Sequence, residues 1–307
     1  MSGPRLALAL WLLGAVSHST AADLPFEIQQ VAAGVFVHFG RPLDLEAPGH
    51  DDIANIGFIV GSRCVAVIDT GGSVRVGRAL LSAISQRTRK PICYVINTHV
   101  HVDHLLGNAA FRDSRASFVG HATLPEAIAR SRLYFLQHYP EDLDSPATAQ
   151  QIIAPDQRVQ QSLELDLGGR RLQLRAWPVA HTDCDLTVLD ESTRTLWTGD
   201  LLFRQRLPAV DGEVGGWLDV IDEMARIPVR RAIPGHGPLA TDLPAALEPE
   251  RRYLRALFDG VRSAIDRGQS LPDAIDEVAA AEKPRWLLWD STHPRNVTRV
   301  YQQLEWK

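Results

Sequence analysis

Lysine is nearly absent. Lys90, Lys283 and Lys307 are the only three, and arginine carries the rest of the positive charge. With 32 basic against 37 acidic residues the net charge is −5, which excludes the basic footprint of a nucleic-acid binder. Three cysteines cannot build a disulfide framework and allow one pair at most. Cys64 and Cys93 fall on strands expected to be neighbours. They read as two packed thiols, with a disulfide formed on export as the alternative. Cys184 reads as a buried free thiol, with contact to substrate or metal as the alternative. No apolar run reaches the roughly 20 residues a bilayer span needs. Repeats and low-complexity tracts are also missing. What remains, 45% apolar and 22% charged residues over 307 positions, is a globular composition that excludes a disordered chain, a collagen-like repeat and a coiled coil.

The N-terminus has the layout of a secretory signal peptide. Arg5 is followed by an apolar run over residues 6–16, then by Ser19-Thr20-Ala21 as a small-residue cleavage site. This predicts a signal peptide at 1–21, a main domain at 22–244 and a helical region at 245–307. The mature chain is then periplasmic or secreted and has no integral membrane segment.

Hydrophobic periodicity predicts a strand or hairpin over 26–40, strands at 53–60, 64–69 and 91–97, and a helix over 74–88. A helix from 103 to 111, a short strand at 117–119 and a helix over 124–138 come next. Strands then recur at 158–167, 171–179, 186–189, 195–198 and 231–233, with a helix over 217–227. Hairpins mixed with β-α-β runs predict two sheets with helices outside. Beyond 242 the pattern is helical. Leu247, Leu254, Leu257, Phe258, Val261 and Ile265 form one stripe, Gly268 a C-cap and Ser270 the next N-cap. The loop 41–52, with His50, is placed over the expected cleft or left as plain surface.

The dominant motif is Thr98-His99-Val100-His101-Val102-Asp103-His104, directly after a strand. Residues i and i+2 of extended backbone point the same way, so His99 and His101 can grip one metal. Asp103 and His104, where the chain turns into a helix, can face a second. Imidazole and carboxylate suit borderline metals such as Zn²⁺. Three further candidates are placed at strand ends: His181 in Ala-His-Thr-Asp-Cys-Asp-Leu, Asp200 in Thr-Gly-Asp and His236 in Pro-Gly-His-Gly. His121, His138 and His293 have no evident partner in the sequence.

These seven residues, with Ile68-Asp69-Thr70-Gly71 upstream, resemble the metallo-β-lactamase superfamily over roughly residues 31–238. The resemblance implies an α/β fold, a four-layer αββα sandwich with the site along the shared edge of its sheets, to which the residues add a helical C-terminal appendage. It assigns His99, His101 and His181 to a first metal, Asp103, His104 and His236 to a second, and Asp200 to both. The implied cofactor is two Zn²⁺ per chain, sharing a water that attacks an electrophilic centre of a small-molecule substrate, with Asp103 as proton acceptor. Asp69 is implied as the acid that orients ligands; a plain turn residue before Gly71-Gly72 is the alternative.

Asp200 decides the branch. True β-lactamases would carry Cys or Ser there, whereas a bridging carboxylate resembles glyoxalase II-type hydrolases of esters, thioesters or amide-type carbonyls. In glyoxalase II, basic residues of a helical tail hold glutathione; Arg251 and Arg252 lie on such a tail but read as solvated. Residues 52–61 (Asp-Ile-Ala-Asn-Ile-Gly-Phe-Ile-Val-Gly), 67–72 (Val-Ile-Asp-Thr-Gly-Gly) and 293–297 (His-Pro-Arg-Asn-Val) further resemble the SoxH-like quinoprotein relay system zinc metallohydrolases. That resemblance implies a functional link to a pyrroloquinoline quinone dehydrogenase. The alternatives are class B-like β-lactamase activity, an iron-dependent persulfide dioxygenase and a non-catalytic quinone-cofactor accessory protein.

Overall fold

A computed structural model describes residues 26–143 and 152–305. The expected signal peptide, residues 1–21, lies outside the described residues. Strands β1 (Gln29–Ala32), β2 (Val35–His38), β3 (Ile56–Val60), β4 (Val65–Ile68), β5 (Ile92–Ile96), β6 (Ser117–His121) and β7 (Gln157–Val159) form a seven-stranded sheet in chain order. Strands β8 (Ser162–Asp166), β9 (Arg171–Ala176), β10 (Leu186–Asp190), β11 (Thr195–Phe203) and β12 (Arg231–His236) form a second, five-stranded one. The helices are α1 (Val74–Arg87), α2 (Val102–Leu105), α3 (Leu124–His138), α4 (Val214–Met224), α5 (Leu243–Asp266), α6 (Leu271–Glu277) and α7 (Trp289–Glu305). No helix among the described residues is long and apolar enough to cross a membrane.

Strand alternation builds the layers. All of β4 is buried. Ala66 and Ile68 join Val35, Val188, Trp197 and Ile233 between the sheets. Val65 and Val67 pack outward with Leu80 and Ile84 of α1, which Ser73 caps by accepting from the amide of Val76. On the far side, Trp217 of α4, Leu254 and Leu257 of α5 and Val297 of α7 share one cluster with Leu196, Leu202 and Phe203 of β11. The helical tail is therefore an outer layer of the second sheet, and the expected αββα sandwich with C-terminal helices is what the chain forms. Pro249 lies inside α5 and costs the helix about 3 kcal/mol. Leu247, Leu254, Leu257 and Val261 are fully buried on the same helix; at about 1.5–3 kcal/mol each they outweigh it.

Three expectations differ from the structure. Residues 158–167 are not one strand: β7 pairs with β6 in the first sheet and β8 with β9 in the second. Val159 and Leu165 both point into the space between the sheets, with Leu163 packed against them, so the two strands keep one parity across the crossing, which hides it. The helix expected over 103–111 is the four residues of α2 followed by a 3-10 helix over Leu106–Ser114. There the Gly107 amide donates to Gly71 O at 2.9 Å, and a Cβ on Gly107 would collide with Thr70 O. Finally, Cys64 and Cys93 are not packed thiols but a disulfide. Parallel pairing of β4 with β5 sets Val65 opposite Ile92 and leaves the two Cα atoms 5.8 Å apart, within bonding geometry. Cys184 is the free, buried thiol.

Thiol titration of the unfolded, non-reduced chain should find Cys184 alone, and reduction should then lower stability in urea by about 2–4 kcal/mol. Three thiols before reduction would contradict the bond. A second expected outcome concerns Glu250, fully buried on α5, whose Oε1 accepts from the Phe203 amide at 3.0 Å. Burial first, then the nearby Asp200 charge, raises its pKa well above the ordinary value. The folded chain keeps a proton that the unfolded chain releases, so stability falls as pH rises above the unfolded value near 4.5. Glu250→Gln should remove that decline. Urea unfolding of metal-free protein at pH 5 and pH 8 should show the variant gaining on the parent as pH rises; a constant difference would refute it.

Candidate metal centre

The seven motif residues meet at one end of the two sheets. β5 delivers His99 and His101, α2 carries Asp103 and His104, and β11 and β12 contribute Asp200 and His236. His236 ends its strand as expected. His181 does not: β9 stops at Ala176, and His181 sits in the following loop. Asp185 pins that loop by accepting from Thr182 N and Oγ1 at 2.8 and 2.6 Å, and burial pushes Asp185 itself up to about 7. Asp200 is not at a strand end either. It lies within β11, where the register against β12 slips between Gly199 and Phe203. Across from it stands Gly235, where a Cβ would collide with Asp200 Oδ1.

Each imidazole is held from outside. His104 Nδ1 donates to Asp69 Oδ2 at 2.8 Å. His181 Nδ1 donates to Ala209 O and His236 Nδ1 to Ile53 O, both at 2.8 Å. His101 Nε2 donates to Asp211 Oδ2 at 2.5 Å. His99 Nδ1 lies 3.0 Å from Thr98 Oγ1, which itself donates to Asp69 Oδ2 at 2.7 Å. Asp69 also accepts from the Thr98 amide at 2.8 Å. These bonds tie down its left-handed backbone, at φ 52°, which costs a non-glycine residue of order 1–3 kcal/mol. The orienting role implied for Asp69 thus has a geometric basis.

The outer bonds leave Nε2 of His99, His104, His181 and His236, and Nδ1 of His101, pointing inward. His99, His101, His181 and Asp200 form one candidate ligand group, and Asp103, His104 and His236 another, with ligand atoms in each within 4.8 Å of one another. Asp200 reaches both. It lies 3.5 Å from His181 Nε2, 3.7 Å from His99 Nε2, 3.1 Å from His104 Nε2 and 3.3 Å from His236 Nε2. Asp103 Oδ2 is 3.3 Å from His236 Nε2. Ligands about 2.05 Å from a tetrahedral ion stand about 3.3 Å apart, so the spacing fits. Buried His99 Nε2, His104 Nε2 and Asp200 Oδ1 have no hydrogen-bond partner. Such orphans are costly, and a divalent cation would satisfy all three.

Charge agrees with this. Burial opposes ionisation of Asp103 and Asp200, but His104 and His236 outweigh it for Asp103, and His236, His104 and His99 for Asp200; both titrate below the ordinary range. Burial, then neighbouring His104, holds His99 well below 6.5. Burial, then His101, brings His181 to about 4. Against burial, Asp200, Asp103 and Asp69 raise His104 well above 6.5, and Asp211, then Asp103 and Asp200, raise His101; a cation bound by these rings takes the place of their protons.

Sequence reasoning missed Asp211 and the carbonyl of Ala209, which lie in a loop with no local motif. Their loop is latched by α7: Asn296 accepts from the Val210 amide at 2.9 Å and donates to Pro208 O at 2.7 Å. His293 has a partner after all, Tyr253 Oη at 3.1 Å. His121 meets Thr123, and His138 the carbonyl of Tyr134. Arg251 and Arg252 pair with Asp222 and Glu282. Cys184 touches Thr182 Oγ1 at 3.5 Å, and burial pushes its thiol up. Loop 41–52 does overhang the cleft: Asp44 and Leu45 line a cavity of about 330 Å³ with Phe135, Asp200, Arg206 and Asn296. His50 bonds Asp142 at 2.8 Å.

Because Asp211 is the partner of the outer nitrogen of His101 among the described residues, Asp211→Asn should weaken divalent-metal binding about 10–100-fold, measured by chelator competition. Unchanged affinity would show that Asp211 does not position His101.

Residues 50–236 match the family model described as the metallo-beta-lactamase superfamily. The "Lactamase-like protein nscB" of Trichophyton rubrum is 25% identical over 304 residues, 88% of this chain and 83% of that protein. Its namesake from Arthroderma benhamiae is 24% identical over 272 residues, 78% of this chain, which spans only 55% of that protein's length. Among solved structures, a metallo-beta-lactamase family protein from Thermus thermophilus has a TM-score of 0.66 at 19% identity, covering 90% of this chain and 94% of that one. The stereoselective inverting sec-alkylsulfatase Pisa1 from Pseudomonas sp. has a TM-score of 0.69 at 18% identity, covering 90% of this chain and 50% of that one. The sandwich, the edge site and the matched region agree: this chain belongs to the metallo-β-lactamase superfamily.

Proposed function

We propose that this chain is an exported di-zinc hydrolase of an ester, thioester or amide-type carbonyl. The observation that carries the reading is the set of buried, unpartnered donors, His99 Nε2, His104 Nε2 and Asp200 Oδ1, inside two ligand groups that share Asp200. In this reading His99, His101 and His181 hold one ion, Asp103, His104 and His236 the other, and Asp200 both. Bound there, two divalent ions supply an acidified water and polarise the substrate oxygen. Asp103, kept ionised against burial by His104 and then His236, would take the water's proton at its carboxylate. Phe135, Leu45 and Val210 on the cleft wall exclude bulk water and strengthen the charges inside.

Export is supported by the N-terminal sequence and by the disulfide between Cys64 and Cys93, a bond that persists in oxidising compartments. Resemblance of residues 52–61, 67–72 and 293–297 to the quinoprotein relay hydrolases supports a place beside a pyrroloquinoline quinone dehydrogenase.

Metal analysis of purified protein should find two zinc ions per chain. Asp200→Ala should lose most of the second ion, and full retention of both with full activity would refute the bridging role. The Asp200 carboxylate lowers the positive charge of the site and so weakens the pull on a lactam carbonyl and on a poor amine leaving group. Activated esters or thioesters should therefore exceed lactams by at least about 10²-fold in kcat/KM, roughly 2.7 kcal/mol. Efficient penicillin turnover without esterase activity would overturn the assignment.

A further inference from the structure

A second cavity adjoins the cleft, and nothing in the reading above uses it. It measures about 310 Å³. Arg206 and His236 line both cavities. Loop 41–52 borders both as well, with Arg41 and Pro42 on the second and Asp44 and Leu45 on the first.

Its lining is unusual for a chain of net charge −5. Arg41, Arg204 and Arg206 face it, and no Asp or Glu does. Much of the remaining wall is apolar: Phe39, Pro42, Ile53 and Pro238. Arg206 is only 8% exposed, yet among the described residues no carboxylate stands within ion-pair distance of its guanidinium. Asp44, on the first cavity, feels its charge only from further off. Among the described residues, the one polar contact of the Arg206 side chain is Nη1 to His236 Nδ1 at 3.2 Å, and that nitrogen already donates to Ile53 O. Arg204 is spent on the carbonyls of Pro238 and Leu239 at 2.7 and 2.5 Å, which orient it without neutralising it. Arg41 is exposed and has no ion pair among the described residues. A buried guanidinium without a counter-ion is costly, and arginine's planar fork matches a carboxylate.

We infer that this cavity is an anion subsite of the cleft, with Arg206 as its anchor and Arg41 at its mouth. It takes a small carboxylate with an apolar body. Resting on the hydrolase reading, the substrate is then an ester-type molecule whose negative group sits on Arg206, set off from the scissile carbonyl by an apolar spacer.

Calorimetric titration with phenylacetate, against its neutral analogue phenylacetamide, tests this on zinc-loaded and metal-depleted protein. Phenylacetate should bind at least about tenfold more tightly than phenylacetamide in both states. Arg206→Gln should abolish that preference, Arg206→Lys should keep part of it, and Arg41→Ala, away from the ligand residues, should reduce it. Equal binding of acid and amide would overturn the inference. So would loss of phenylacetate binding on metal removal, which would place the carboxylate on the metals, or an unchanged preference in both Arg206→Gln and Arg41→Ala. Absence of any ester turnover with the phenylacetate preference intact would sink the hydrolase reading and leave the anion subsite standing.

Discussion

Five imidazoles cannot share a buried pocket unless something outside each ring decides which nitrogen looks inward. Here Asp69, Thr98, Asp211 and the carbonyls of Ile53 and Ala209 take the outer nitrogens. The inner ones are left facing two carboxylates and each other, with orphaned atoms at the centre. That arrangement is unfavourable by itself. It persists because the acceptors are held by the sandwich or by a loop that α7 latches, and because a bound cation would turn the same atoms into ligands. Asp69 shows the cost most directly. It accepts three bonds and keeps a left-handed backbone to do so, so local strain is exchanged for the orientation of His104 and, through Thr98, of His99.

How much of this the sequence shows depends on whether the signal is local. His99, His101, Asp103 and His104 lie within six residues, so period-two geometry and one turn into a helix suffice to place them. His181, Asp200 and His236 are single residues; flanking glycines and their order along the chain made them legible. Their exact seats were not, since a register slip inside β11 carries Asp200 and a loop held by Asp185 carries His181. The crossing between β7 and β8 is invisible because both strands keep one buried parity. Asp211 and Arg206 were illegible for another reason. Asp211 acts through one contact to a residue distant in sequence, Arg206 is set beside His236 only by the fold, and nothing in their neighbourhoods marks them.

The tail changes meaning in the same way. Its stripe of Leu247, Leu254 and Leu257 is legible as a buried helix face, which suggests an appendage that covers apolar surface. Asn296 does more. Its amide nitrogen reaches both Pro208 O and Tyr253 Oη, at 2.7 and 2.9 Å, while its oxygen takes the Val210 amide. The loop so latched presents Ala209 O to His181 and Asp211 to His101. Arg299, one helical turn further along α7, reaches the carbonyl of Asp211 at 2.5 Å.

The two ligand groups are therefore anchored differently. His104 rests on Asp69, which directly follows β4, and His236 on the Ile53 carbonyl ahead of β3; both supports flank strands of the first sheet. His101 and His181 rest on an irregular loop whose position depends on α7. Loosening α7 releases the supports of His101 and His181 and leaves those of His99, His104 and His236 in place. Asp200 spans both groups from a strand that α5 braces through Glu250 and the Phe203 amide. The helical layer thus bears on the site at two separate points, which makes the tail part of the metal centre's support and gives its buried polar residues, Glu250, Tyr253, His293 and Asn296, a structural reason to be there.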